Sequence, residues 1–283
     1  MRALALMVSV LALLTSEAVA AQTSSAPESI ADPVVVKGAN RARTLDYVRA
    51  VTQLSSSGRV SKRPKQICPL VAGAQPEINR HVLARLREVA DEVGVEFATR
   101  SCQPDLLVLF SREPEEMLQK ARARGKIRYD DISIPRVDRF RADARPVRWL
   151  SRTMELPVQG QADGGFADSA FVTFQAPGSL IVQPVASVLY HTIVVVDARK
   201  ADGVPVAALA DYVSFVALAN IRVNAVQSSY DSILDLFASP DAPKRLSNAD
   251  KAYLRAVYKV RSNIGASDQL GPLATAMVDE LQR

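Results

Sequence analysis

The residues that could carry catalytic chemistry are few, because the chain contains only two histidines and two cysteines. His81 and His191 stand far apart, a metal site built from both lacks obvious partners, and two cysteines alone give too few ligands for zinc. The sequence has no H-E-x-x-H zinc motif, G-x-S-x-G elbow, S-x-x-K pair, phosphate-binding loop or dinucleotide fingerprint. It therefore predicts neither a metal nor a cofactor.

Asp211 is the candidate acid in the most apolar part of the chain. Residues 205–219 are hydrophobic on all sides apart from Asp211 and Ser214, which is typical of a buried central helix. A carboxylate there must find donors or stay protonated, because burial of an unpaired charge is costly. Two interpretations stay open: Asp211 bonds a neighbouring arginine or backbone amide, or it opens onto a cleft near Tyr212, Ser214 or His191.

Trp149 is the only tryptophan, and arginines flank it in the sequence. Its indole belongs either to the core or to a groove for a carbohydrate or an anion. No residue is assigned a catalytic role, although a pair of carboxylates for hydrolysis stays open, since sequence gives no distances. The candidate cleft-lining residues are Asp211, Tyr212, Ser214, His191 and Trp149.

The first 20 residues have the features of a cleavable signal peptide. Arg2 supplies a positive charge, residues 3–14 form an apolar run interrupted only by Ser9, and residues 18–20 read Ala-Val-Ala, a small-x-small cleavage pattern. The apolar run is shorter than the roughly 20 residues of a membrane span. We therefore predict cleavage after Ala20, no transmembrane span in the mature chain, and a periplasmic or secreted protein.

Export also predicts the state of the two cysteines. Cys68 and Cys102 are an isolated pair, which in an oxidising compartment is normally a disulfide. The bond would close a loop of about 35 residues and stabilise the fold by about 3 to 4 kcal/mol. Their spacing is not the C-x-x-C of a redox-active pair, so a structural bridge is expected.

The basic residues are concentrated near the N-terminus. Residues 37–65 contain eight basic residues and one acid, whereas residues 66–283 contain 26 of each. Residues 21–63 are predicted to be a flexible basic arm, which either solubilises the chain or contacts anionic lipid, lipopolysaccharide or polymer; location argues against nucleic acid. The candidate contact residues are Lys37, Arg41, Arg43, Arg59, Lys62, Arg63 and Lys65.

The hydrophobic pattern places these residues on a series of short elements. One single α+β domain is predicted over residues 64–283. Strands are expected at residues 67–71, 95–98, 106–110, 145–156 and 192–196, with an irregular stretch over 136–148 and a hairpin or loop at 159–168. Helices are expected at residues 44–54, 76–93, 114–124, 205–219, 249–260 and 268–281. Residues 247–250 read Ser-Asn-Ala-Asp, close to a capping box.

The C-terminal third resembles a known group of proteins. A buried helix, LADYVSFVALANI (209–221), precedes a Ser-Ile-Leu segment (232–234) and a capped helix, LSNADKAYLRAVYKV (246–260). This order is similar to exported bacterial proteins of unknown function whose C-terminal region looks like a metzincin-type metalloprotease. The resemblance implies a zincin-like fold, in which a mixed sheet leads into the buried helix and the later helix packs beneath it.

The chain departs from that family at the residues that would bind zinc. Ala210 and Ser214 stand where the resemblance implies histidines, and Asp211 stands where it implies the catalytic glutamate. A catalytic zinc is therefore not expected. The resulting hypothesis is a non-catalytic envelope protein that binds a peptide, a glycan or another envelope protein through a cleft over residues 209–220.

Two alternatives stay open. One is a hydrolase with an unrecognised acid/base site in the same cleft, using Asp211 with His191. The other is a scaffold docked to membrane or cell wall through residues 37–65. In each case the predicted fold class is α+β: a mixed sheet, a buried central helix and C-terminal helices.

Overall fold

The computed structural model describes residues 40–125, 127, 132–157, 185–225, 229–261 and 269–283. All of them belong to one unit, Gly38–Arg283. The predicted signal peptide, residues 21–39 with Lys37, and the loop predicted at 159–168 lie outside the described residues. Among the helices that are described, none combines the length and the apolar composition that a membrane crossing requires.

The described elements up to residue 218 include both strands and helices, and those after it are helical. The strands are β1 (Gln66–Ile67), β2 (Pro69–Ala72), β3 (Glu96–Phe97), β4 (Leu106–Ser111), β5 (Val147–Pro157) and β6 (Val185–Asp197). The helices are α1 (Arg41–Val51), α2 (Pro76–Glu92), α3 (Pro114–Ala123), α4 (Ile134–Ala142), α5 (Val206–Leu218), α6 (Asn248–Lys259) and α7 (Leu270–Leu281), with a 3₁₀ helix, η1 (Ile233–Phe237), between α5 and α6.

The central sheet is mixed and has the order β2-β4-β6-β5. Strands β2, β4 and β6 are parallel, and the edge strand β5 is antiparallel to β6. Only Cys68 separates β1 from β2, and β1 pairs in parallel with the short β3. The mixed sheet and the helices confirm the α+β prediction.

Helices cover both faces of this sheet. Leu106, Val108 and Phe110 of β4 point into a large core that α1, α2, α5, α6 and α7 complete, whereas Leu107 and Leu109 face a second, smaller core. Burial on both faces explains why β4 is a continuous apolar run rather than an alternating one. The second core joins α3 and α4 to the sheet through Leu118, Ile127, Val137, Phe140, Leu150, Ile193 and Val195.

The disulfide prediction is confirmed. Cys68 and Cys102 are bonded, with 6.0 Å between their Cα atoms. Cys102 is exposed, whereas Cys68 is buried at the junction of β1 and β2. The bond therefore ties the loop after β3 to the first strand of the sheet.

Two secondary-structure predictions are wrong. The stretch predicted as irregular contains α4, a helix rich in arginine whose Val137 and Phe140 pack on the second core. His191 was expected at the start of a strand, but β6 begins six residues earlier, at Val185, and His191 lies inside it opposite Arg152. Helix α4 has few apolar residues and no strong periodic pattern, so packing decides its structure, whereas the apolar residues 185–190 extend β6 beyond the predicted strand.

The prediction of a flexible basic arm is wrong for residues 40–63. Helix α1 buries Tyr47, Val48 and Val51 against the large core. Arg59 and Arg63 are only 3% and 4% exposed, so they cannot contact an external surface. Compact structure is therefore already present at residues 40–63, before the start predicted at residue 64.

Residues 59–63, which we call the basic strap, neutralise the negative ends of two helices. The Lys62 Nζ donates to the carbonyls of Tyr258 (3.4 Å) and Val260 (3.1 Å) at the end of α6. The Arg63 Nε donates to the carbonyl of Ala217 at the end of α5, at 3.0 Å. Cations are favourable at helix C-termini, which explains why these basic residues fold inward.

Candidate functional site

Helix α5 is the element on which the sequence places the candidate site. Every residue from Ala208 to Leu218 is at most 5% exposed, and Ala219 and Asn220 are also buried. Helix α2, β6, η1 and α6 pack around it. Within the part of the chain that is described, the cleft expected over residues 209–220 is therefore filled by protein.

The Asp211 carboxylate lies inside this packing with no exposed surface. Its Oδ1 accepts a hydrogen bond from the Arg85 Nε of α2. Its Oδ2 accepts from the Arg245 Nε and from the Leu246 backbone N–H, each at 2.8 Å. Of the two interpretations left open by the sequence, the structure selects bonding to arginine and a backbone amide.

The two arginines that hold Asp211 differ in exposure. The Arg85 side chain is 13% exposed and also donates to Glu88 at 2.7 Å, whereas the Arg245 side chain is 62% exposed. Burial lowers the pKa of Arg85, but its hydrogen bonds to Asp211 and Glu88 outweigh that effect and raise it. Asp211 therefore joins α2, α5 and the segment before α6 through permanently charged donors.

The other candidate residues of α5 are also engaged internally. The Ser214 hydroxyl donates to the Ala210 carbonyl of its own helix, at 2.7 Å. The Tyr212 ring stands edge-on to Trp149 and Phe237, with centroid distances of 6.3 and 5.4 Å. Burial raises the pKa of the Tyr212 hydroxyl far above its usual range. These contacts favour a packing role for each side chain.

Trp149 is a core residue rather than the wall of an open groove. It is 3% exposed, and its Nε1 donates to the Ile221 carbonyl at 3.0 Å. The Arg145 guanidinium covers its ring at 4.7 Å and is itself held by Asp143 and the Val223 carbonyl. The structure thus brings Trp149 and Tyr212 together, but His191 is not among the hydrogen-bond partners of Asp211.

Asp250 is a second buried carboxylate, and the sequence identified it only as part of a helix cap. The capping box with Ser247 is confirmed. Its carboxylate also accepts from the Tyr47 hydroxyl (3.0 Å), the Ser232 hydroxyl (2.7 Å) and the Ile233 N–H (2.8 Å). Burial raises the pKa of Asp250, although the hydrogen bonds from Ser232, Ile233 and Ser247 oppose the shift.

A third polar cluster lies beside the disulfide. The Arg63 side chain is fully buried, and its Nη1 is 3.9 Å from the Asp105 Oδ1. The Arg63 Nη2 and the Asp105 Oδ1 have no hydrogen-bond partner, while the Asp105 Oδ2 accepts from the Cys68 N–H at 3.0 Å. Burial raises the pKa of Asp105 and lowers that of Arg63. This loose pair ties the strap to the start of β4.

None of these clusters has the composition of a metal site. In the described residues, no group of three or more histidine, cysteine, aspartate or glutamate side chains is arranged to hold an ion.

An open groove of about 420 Å³ runs along α3, and its walls are Ser111, Glu113, Glu116, Met117, Lys120, Ala121 and Arg124. Comparison of the chain with models of protein families, with curated proteins and with solved structures finds no match.

Proposed function

We propose that this chain is an exported, non-catalytic protein of the cell envelope, built on a degenerate metalloprotease-like fold, that acts by binding another molecule. The observation that carries the proposal is the state of Asp211. The residue that stands where the resemblance implies a catalytic glutamate accepts hydrogen bonds from two arginines and a backbone amide. A general base must be able to reach a proton on its substrate, and this carboxylate has no exposed surface.

The arrangement of elements supports the zincin-like part of the proposal. The mixed sheet leads through β6 into the buried helix α5, and the capped helix α6 packs against α5. That is the order and packing that the resemblance implies. Ala210 and Ser214, at the positions of the implied histidines, are both fully buried and cannot bind zinc as imidazoles would.

The disulfide supports the location. A buried cysteine bonded to an exposed one is compatible with an oxidising compartment, where such bonds persist. The predicted cleavage site gives a direct test. Expression of the full chain in a bacterium and mass analysis of the mature protein should show an N-terminus at Ala21; retention of residues 1–20 would contradict export.

Zinc content and hydrolytic activity test the non-catalytic proposal. The purified mature protein should bind substoichiometric zinc after equilibration and should hydrolyse neither unstructured peptides nor ester substrates. One zinc per chain, or hydrolysis that Asp211→Asn abolishes without unfolding the protein, would overturn it. The alternative hydrolase has no comparable support, because it pairs Asp211 with His191 and the donors of Asp211 are Arg85, Arg245 and Leu246.

A further inference from the structure

The connection between β6 and α5 contains the dipeptide Asp202-Gly203. Both residues are exposed, and they lie in the centre of a turn that the Val204 N–H closes by donating to the Ala201 carbonyl at 3.2 Å. Gly203 has a φ of 78°, in the left-handed region that residues with a side chain rarely adopt. The turn therefore favours glycine directly after an exposed aspartate.

The Asp202 side chain is folded back onto the peptide bond that follows it. The Gly203 N–H donates to the Asp202 Oδ1 at 3.1 Å. This hydrogen bond brings the Asp202 Cγ close to the nitrogen with which it can form a ring. In the described structure, no atom beyond the neighbouring residues lies within 4 Å of the place that a Cβ on Gly203 would occupy, so that side of the nitrogen is open.

We propose that Asp202 is a site of spontaneous isomerisation, at which the chain converts to isoaspartate without an enzyme or a cofactor. The Gly203 nitrogen attacks the Asp202 Cγ, and the new N–C bond forms as the amide proton and the carboxyl hydroxyl leave together as water. The product is a succinimide ring. Water then adds to the main-chain carbonyl carbon of Asp202, the bond from that carbon to the Gly203 nitrogen breaks, and the chain continues through Cγ.

Two other aspartates each lack part of this arrangement. Asp211 has no exposed surface, its oxygens accept hydrogen bonds from three donors, and the bulky Tyr212 follows it. Asp241 is exposed, but Ala242 follows it and carries a Cβ beside the nitrogen that would have to attack. We therefore expect isomerisation at Asp202 to be faster than at either of them.

Isomerisation at this position alters the entry into the buried helix α5. Isoaspartate lengthens the main chain by a methylene group inside the turn that the Val204–Ala201 hydrogen bond spans. Ala201 and Val204 pack against the large core, and Pro205 is the N-cap of α5. The isomerised fraction, separated by ion exchange, should therefore unfold at a lower concentration of guanidinium chloride than fresh protein.

Peptide mapping of the aged mature protein tests the proposal, which is independent of the proposed binding function. Trypsin should release residues 201–222 as one fragment, whose only aspartates are Asp202 and Asp211. After incubation of the folded protein at neutral pH, an isomer of this fragment with unchanged mass should appear, with isoaspartate at Asp202 and not at Asp211. Asp163-Gly164 repeats the dipeptide outside the described residues, but it belongs to a different tryptic fragment.

Three variants separate the roles of the two residues. Asp202→Glu keeps the charge but requires a larger ring, so the isomeric fragment should be lost. Gly203→Asn keeps a residue that tolerates positive φ and adds a side chain beside the attacking nitrogen, so conversion should fall well below that of wild type. Asp202→Asn replaces the carboxylate by an amide, which is the better electrophile at neutral pH. It should react faster and release ammonia, and the fragment should gain the mass difference between an amide and a carboxyl group.

Three results would overturn the proposal. The first is no isoaspartate at Asp202 in the folded protein while a synthetic peptide of residues 199–206, incubated beside it, is converted, because the turn would then protect the dipeptide. The second is equal conversion in wild type and in Gly203→Asn. The third is conversion at Asp241 that equals conversion at Asp202. The zinc and hydrolysis assays of the proposed function are independent of all three.

Discussion

Asp211 and Asp250 lie on neighbouring helices and are both completely buried, yet the groups that hold them differ in charge. Asp211 accepts hydrogen bonds from two guanidinium groups and one backbone amide. Asp250 is matched by two hydroxyls and backbone N–H groups, with no cation among its hydrogen-bond donors. One site is an ion-pair network that reaches the surface through Arg245, and the other is a sealed cluster of neutral donors.

The difference shows what each carboxylate contributes to the fold. A buried ion pair loses much of its Coulomb energy to desolvation, but removal of one partner leaves a charge uncompensated. A cluster of hydroxyls can instead reverse its donors and acceptors when the central group changes. The Asp211 site should therefore tolerate substitution poorly, and the Asp250 site should tolerate an amide well.

Of the two Asp→Asn substitutions, Asp211→Asn should have the larger effect. The amide must direct its N–H₂ group at an arginine donor in either orientation, since Arg85 contacts one oxygen and Arg245 the other. We expect a loss of about 3 kcal/mol in the free energy of unfolding. Guanidinium chloride unfolding followed by circular dichroism measures it. The exposed Asp241→Asn should change stability by less than about 0.5 kcal/mol, and equal losses in both variants would contradict the network.

Substitution of Arg85 and of Arg245 should destabilise the fold by different amounts. Arg85→Met keeps the aliphatic packing but removes a donor whose side chain is 13% exposed, so about 2 kcal/mol should be lost. Arg245→Met removes a donor that is 62% exposed, and solvent screening should limit the loss to about 1 kcal/mol or less. The same unfolding measurement applies to both. A larger loss for Arg245→Met would mean that the exposed arginine anchors Asp211.

The sequence predicted the elements whose signals are local. Helix α2 begins at Pro76 as expected, α6 begins with the Ser247–Asp250 capping box, and the apolar run around Asp211 forms the buried helix α5. Each of these depends on residues within a few turns of one another. The disulfide followed from the presence of only two cysteines.

The features that the sequence did not predict depend on distant contacts. The basic strap folds inward although its charged residues would favour exposure. Lys62 and Arg63 neutralise helix ends that lie more than 150 residues away in the chain. Tyr47 donates to Asp250 across 203 residues. The cleft over α5 was expected from the resemblance, but α2, η1 and α6 fill that space, and no local pattern indicates which helix covers another.

Asp250→Asn should produce a smaller loss than Asp211→Asn. The amide oxygen can accept from the Ile233 and Ser247 N–H groups, and its N–H₂ group can donate to the Tyr47 and Ser232 hydroxyls if these reverse. We expect a loss of about 1 kcal/mol by the same measurement. Asp250→Leu, which leaves those donors unpaired, should lose about 3 kcal/mol. If Asn and Leu were equally destabilising, the hydroxyls could not reverse.

The smallest effect is a pH dependence that belongs to Asp250. Burial raises its folded-state pKa above the ordinary value of 3.8, so the unfolded chain releases this proton first as the pH rises. The stability that Asp250 contributes is therefore complete below about pH 3.8 and is partly lost as the pH rises through the folded-state pKa. Burial raises the pKa of Tyr47, and the charge of Asp250 raises it further, so Tyr47 stays protonated throughout. The free energy of unfolding of wild type and of Asp250→Asn can be measured from about pH 3.5 to about pH 7. The stability of wild type relative to Asp250→Asn should decrease as the pH rises. An increase with pH would mean that the folded protein favours the ionised carboxylate.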